Sequence, residues 1–198
     1  MRKRTNRKTS SSRSPIARSS RPRGKSRGEF TESESWENGL HELFLEELAD
    51  IYNAEQQLTK ALPKMAKAAQ SEEVREAFES HLQETENQIS RLEQVVEALG
   101  ESMKRKTCKG MKGLIEEGSE MMQEHKHSPG LDAVLIAGAQ KVEHYEIASY
   151  GTLCAWAKLM NHNDALELLH ETLEEEKATD ERLTQIAENV ANLQAERE

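Results

Sequence analysis

Each of four long, apolar-periodic segments of the chain carries an acid in a slot that the period assigns to the core. Glu55 lies between Ile51 and Leu58. Glu84, one turn after His81, sits at the Ala77/Gln88 edge of its stripe. Glu143 and Glu146 follow Ile136 and Ala139 and precede Tyr150 on one face, and Glu176 lies between Leu173 and Leu183. An ionised carboxylate in an apolar core is costly unless a cation neutralises it, so acids converging from separate segments point to metal. Iron and manganese take carboxylate oxygens and imidazole nitrogens, and two ions close together need carboxylates from facing helices to bridge them. The expected ligands of two ions, Fe or Mn, are Glu55, His81, Glu84, Glu143, Glu146 and Glu176, with His144 and Asp180 in reserve.

The spacing departs from the usual bundle pattern, in which two helices carry Glu and two carry Glu-x-x-His. His81-x-x-Glu84 reverses that order, Glu143-x-x-Glu146 has acids at both ends, and Glu176 is followed by Thr179 and Asp180. This describes a ligand set poor in histidine. Taken singly, each acid also fits a boundary position paired with Lys or Arg, His81 fits a satisfied histidine at a helix edge, and Tyr150 fits packing. In a metal-free helical scaffold, lysines such as Lys60 and Lys141 would neutralise the acids.

The elements that must position these residues are helices. Phe44, Leu48, Ile51, Leu58, Leu62 and Met65 recur at three- and four-residue steps, which predicts a helix over about 39–69. Pro63 inside it should kink it or end a first segment near Leu62. Ser71 followed by Glu72 and Glu73 reads as a cap opening a second helix, and Gly100 stops it. After a long connection, 101–130, with a short helical stretch from Met111 to His125, a third long helix runs from Leu131 to about Met160. Asn161 to Asn163 break it before a fourth, over about 164–195. Two antiparallel hairpins joined by about thirty residues make an all-α, ferritin-like four-helix bundle, up-down-down-up with one long crossover.

Heights along such a bundle can be compared from the residue numbers. Glu55 and Glu84 stand at nearly equal distances from the first hairpin's turn, within about 3 Å axially at ~1.5 Å per residue. Glu146 and Glu176 stand similarly about the second turn, with Glu143 one turn away. All five carboxylates therefore share one slab near mid-bundle.

Composition agrees with a helical domain plus a tail: 198 residues, 35% hydrophobic and 32% charged, with few aromatics, glycines or prolines, a profile unsuited to a β-sandwich or barrel. The formal charge of −9 conceals a split. Residues 1–28 hold eleven of the 27 Lys and Arg and no acid, leaving sixteen bases against 36 acids in the rest. Residues 1–35 are expected to be a disordered basic Arg/Ser-rich tail ahead of a bundle over 36–198. Its charge suits non-specific DNA contact through residues 2–28, although a targeting segment, a plain solubilising tail or a start codon placed too early accounts for it equally. No apolar run approaches the roughly 20 residues needed to cross a bilayer, and the N-terminus lacks the apolar centre of a secretory signal. A cytoplasmic protein with no membrane partner is the expectation. Cys108 and Cys154 have no metal or disulfide spacing and read as free thiols.

The segments HELFLEELADIYNAEQQLTKALPKMAKAA, FESHLQETENQISRLEQVVEALG, the stretch CKGMKGLIEEG from Cys108, LIAGAQKVEHYEIASYGTLCAWA and ETLEEEKATDERLTQIAE resemble the YciE/YciF-like bacterial stress proteins over about 39–190. The resemblance implies a ferritin-like bundle, a homodimer, a di-metal centre and a general-stress association; no settled reaction comes with it. On that basis the chain is expected to bind two Fe or Mn ions and consume peroxide or O2. The alternative is a nucleoid-associated DNA binder, similar to the Dps-like proteins, acting through its basic tail. Trp156 and Leu159, at the end of the third long helix, are the candidate dimer contact.

Overall fold

The computed structural model describes residues 32–196. Of the tail expected to be disordered over 1–35, residues 1–31 lie outside the described residues, and with them the expected DNA contact through 2–28. Among those described there are helices and no strands: α1 (Glu32–Ala68), α2 (Glu72–Ala98), α3 (Lys109–Glu124), α4 (Leu131–Leu159) and α5 (Asn163–Ile186). A π-helical turn over Ala187–Ala191 and a short α6 (Asn192–Ala195) follow. No described helix is long and apolar enough to cross a membrane.

The helix ends follow their local chemistry. Ser71 Oγ accepts from the backbone N–H of Val74 at the start of α2, where Glu72 and Glu73 face the positive end of the helix dipole. At its other end Gly100 takes φ +69°; its N–H bonds to the Glu97 carbonyl and that of Glu101 to the Val96 carbonyl. This paired closure needs a left-handed residue, which glycine supplies without strain. Asn161, at φ 59°, closes α4 in the same way through Lys158 and Ala157.

Two expectations for α1 are corrected. The helix begins at Glu32, ahead of the apolar stripe that starts near Leu40. It also does not end near Leu62: it runs through Pro63 to Ala68. Pro63 lies on the exposed face, so the carbonyl it leaves without a donor stands on the solvent side, while Leu62, Ala66 and Ala69 remain buried around it.

The long helices form a ring in which α1 packs on α2, α2 on α5, α5 on α4 and α4 on α1. Asp132, buried at the start of α4, accepts from the N–H groups of Gln70 and Ser71 at 2.8 and 2.7 Å, so α4 begins beside the α1–α2 turn. At the opposite end His162 meets His41, with ring centroids 5.7 Å apart. The order is thus up-down-down-up, and the crossover must climb the length of the bundle. It does so against α1 and α4. Cys108 donates its N–H to Asn53 and accepts from Gln57 on α1, and its thiol lies 3.0 Å from the Tyr145 hydroxyl of α4. Gly110 follows, where a Cβ would come within 2.9 Å of the Tyr145 ring. α3 then lies across α1 and α4, so α4 is covered on three sides whereas α2 has only α1 and α5. Cys108 and Cys154 are both free and buried.

Candidate metal centre

The slab of acids is present at mid-bundle. His81 from α2, Glu143 and Glu146 from α4 and Glu176 from α5 each place a nitrogen or oxygen within 4.8 Å of the others, and all are buried. His81 Nε2 lies 3.2 Å from Glu143 Oε1 without the alignment of a hydrogen bond. Both oxygens of Glu143, Glu146 and Glu176 and both ring nitrogens of His81 have no hydrogen-bond partner. Glu55 from α1 is equally buried; its Oε1 accepts from the Tyr150 hydroxyl at 2.5 Å, and its Oε2 has no partner.

Buried polar atoms in folded proteins are nearly always paired, so this many orphans in one place require an explanation. Four buried acids face one imidazole. No ion pair among the described residues brings Lys or Arg to them: Lys141 pairs with Glu117 at the surface and Lys60 is exposed. The electrostatics show the cost of this crowding. Burial pushes the Glu55 carboxyl up to about 7, with Tyr150 and His81 opposing and Glu143 adding to the rise. Burial, then the charges of Glu55, Glu176 and Glu143, holds Glu146 well above the ordinary carboxylate range. Glu176 is raised for the same reasons, by burial and then by Glu55 and Glu143. Burial alone would lower His81, but the carboxylates of Glu143, Glu84 and Glu176 outweigh it and raise it well above the ordinary histidine value. An oxygen-rich donor set with one imidazole and no Lys or Arg suits a divalent metal ion. The residues present fit a metal, and the cluster can hold one.

A family model described as a domain of unknown function (DUF892) matches residues 39–196. The chain belongs to this family. Protein YciF of Escherichia coli (strain K12) is 50% identical over 158 residues, covering 79% of this chain and 95% of that protein. The crystal structure of the E. coli stress protein YciF covers 77% of this chain and 97% of its own, with a TM-score of 0.74. YcfI from Rhodopseudomonas palustris is 46% identical, covering 75% of this chain and 94% of its own at a TM-score of 0.71. A structure from Xanthomonas campestris pv. campestris at 23% identity shares the fold, with a TM-score of 0.63 over 80% of this chain and 97% of its own.

In this DUF892 chain the remaining candidates stand apart from the cluster. Glu84 is at its rim, its side chain 37% exposed, with Oε2 3.6 Å from His81 Nδ1 and accepting from Thr179. The His81 imidazole beside it holds its carboxyl below the ordinary range. His144 is 70% exposed and reaches Asp180 at 3.5 Å, so these two face each other near the surface. The one Glu-x-x-His spacing of α5, Glu167 and His170, is exposed as well. Sequence reasoning assigned Tyr150 to packing, and it proves to be the hydrogen-bond partner of Glu55. Thr85 and Gln88, fully buried one and two turns after His81, each carry an orphaned oxygen and were not singled out. Their signal was polar residues at i+4 and i+7 on the His81 stripe.

Proposed function

We propose that the chain is a ferritin-like carboxylate protein of stress defence that binds two iron or manganese ions and consumes peroxide or O2. One observation carries the reading: donor atoms of His81, Glu143, Glu146 and Glu176 lie within 4.8 Å of one another, buried and without hydrogen-bond partners. Similarity to YciF, whose structure is described as that of a stress protein, supports the stress assignment. His81, Glu143, Glu146 and Glu176 would hold the ions, with Glu55 beside them through Oε2. Such ions supply one-electron redox chemistry and open positions for a small oxidant. Tyr150 fixes one Glu55 oxygen, and the raised affinity of Glu55, Glu146 and Glu176 for protons lets the acids store the charge balance when no cation is present. The bundle buries all of them.

We further propose a cytoplasmic homodimer with Trp156 and Leu159 at its contact. Leu159 is 71% exposed at the end of α4 and Trp156 is half-buried beside it. Non-specific DNA contact through residues 2–28 is a second reading, favoured by eleven bases without an acid in that stretch.

The test is elemental analysis of protein produced with added iron or manganese, with the absorption spectrum of the oxidised form. Near two metal ions per chain are expected, with a large loss in Glu143→Ala. Well under one ion per chain, unchanged by that substitution, would rule the reading out.

A further inference from the structure

The rim position of Glu84 gives it a role different from that of the inner acids. A cavity of about 160 Å³ lies between α2 and α5, lined in part by His81, Glu84, Phe78, Ala178, Thr179 and Arg182. A water needs roughly 10–15 Å³ of such space, so several fit, and with them a cation still carrying part of its hydration shell. His81, only 4% exposed in its side chain and with unpartnered nitrogens, lines this cavity and also belongs to the inner cluster.

We propose that this cavity is the entry path for the metal ions and that Glu84 is the entry carboxylate, receiving a divalent cation from solvent and passing it to His81 and the inner acids. The proposal rests on the metal reading of the centre. Among the five acids and one histidine expected as principal ligands, Glu84 is the one open to solvent, and it stands 3.6 Å from His81. Its hydrogen-bond partners are neutral hydroxyls, Thr179 Oγ1 at 3.3 Å and Ser80 Oγ at 3.5 Å. No Lys or Arg among the described residues reaches ion-pair distance of it, and its one ion-pair neighbour is His81, the residue to which an arriving cation passes. Arg182 shares the cavity lining without pairing with Glu84 and is the positive charge that an incoming ion must pass. A fixed carboxylate at the mouth of a low-dielectric passage concentrates cations there and raises the rate of entry. Because Glu84 lies outside the group whose donor atoms converge, it bears on the rate of loading and not on the final occupancy.

The experiment mixes the metal-free full chain with Co(II) in a stopped-flow instrument and follows the visible absorbance, with bound Co(II) counted at equilibrium. Glu84→Gln, which keeps size and hydrogen bonding at a half-exposed position, should load about tenfold more slowly and bind the same number of ions. Arg182→Gln should load faster, and Ala178→Leu, which narrows the passage, should load more slowly. An unchanged rate in Glu84→Gln overturns the proposal. So does a reduced number of bound ions, which would make Glu84 a resident ligand. A wild-type chain that takes up no Co(II), Fe(II) or Mn(II) overturns the metal reading itself, and shows this before any variant is compared.

Discussion

The hydroxyl of Tyr150 on α4 donates to Glu55 Oε1 on α1 at 2.5 Å, and both side chains are fully buried. This contact orients the one α1 carboxylate of the centre and leaves its second oxygen without a partner. Supporting hydrogen bonds of this kind typically contribute ten- to a hundredfold to metal affinity. Tyr150→Phe is expected to weaken metal binding by about that factor and to cost about 1–3 kcal/mol of stability through the oxygen it orphans. It removes an interaction that lowers the proton affinity of Glu55, so the Glu55 midpoint should move further up from about 7. Competition with a coloured chelator and a carboxyl titration followed by infrared absorption would measure the two effects. Wild-type affinity in the variant would show that the contact is only packing.

Glu146 is the acid most surrounded by like charge, with Glu55, Glu176 and Glu143 all raising its proton affinity after burial. Glu146→Gln keeps the shape and removes one charge. The metal-free variant is expected to be more stable than the metal-free wild type by about 1–2 kcal/mol, since crowded buried charge is costly. Metal content should fall at the same time. Thermal melts of both metal-free proteins, beside elemental analysis, test the pairing of gain with loss; a destabilised variant with full metal content would contradict the assignment.

Glu55, Glu146 and Glu176 all hold protons more readily in the folded metal-free chain than their ordinary values imply, and so does His81. A group whose folded pKa is raised contributes its full stabilisation below the unfolded pKa and loses it as pH rises through the folded value. The metal-free chain should therefore lose stability from about pH 4.5 upward, with the Glu55 contribution fading through about 7. Metal requires deprotonated carboxylates, so its stabilising effect should grow over the same range. Melting temperatures of the metal-free and loaded chains should diverge as pH rises, and parallel curves would count against buried proton storage.

Asp132 ties the α1–α2 turn to the start of α4 through the N–H groups of Gln70 and Ser71. Asp132→Ala leaves both donors without that acceptor and is expected to cost about 3 kcal/mol. Chemical denaturation would read this directly. Metal stoichiometry in the folded variant should be unaltered, since the residue stands at the end of the bundle and the centre at its middle.

The basic segment is tested by deletion. If residues 2–28 contact DNA, retardation of a DNA fragment by the intact chain should fall steeply with added salt and vanish in the shortened chain. Retardation that survives the deletion would move any DNA contact to the acidic bundle.

Much of this was legible in the sequence because a helix converts residue number into height and direction. The near-equal distances of Glu55 and Glu84 from the first turn, and of Glu146 and Glu176 from the second, placed the acids in one slab before any packing was known, and Ser71, Gly100 and Asn161 marked the ends by local chemistry. Direction is where the sequence stopped. Residues three apart on a helix differ by about 60° around the axis, and that angle separates buried His81 from half-exposed Glu84, while Glu143 and Glu146, equally spaced, are both buried. The reason is tertiary: α4 is enclosed by α1, α3 and α5, so its buried arc spans both acids, whereas α2 is covered by α1 and α5 and leaves Glu84 at the open edge. Likewise only packing could pair Tyr150 with Glu55 from a different helix, turn His144 toward Asp180, and carry α1 past Pro63 on the solvent side.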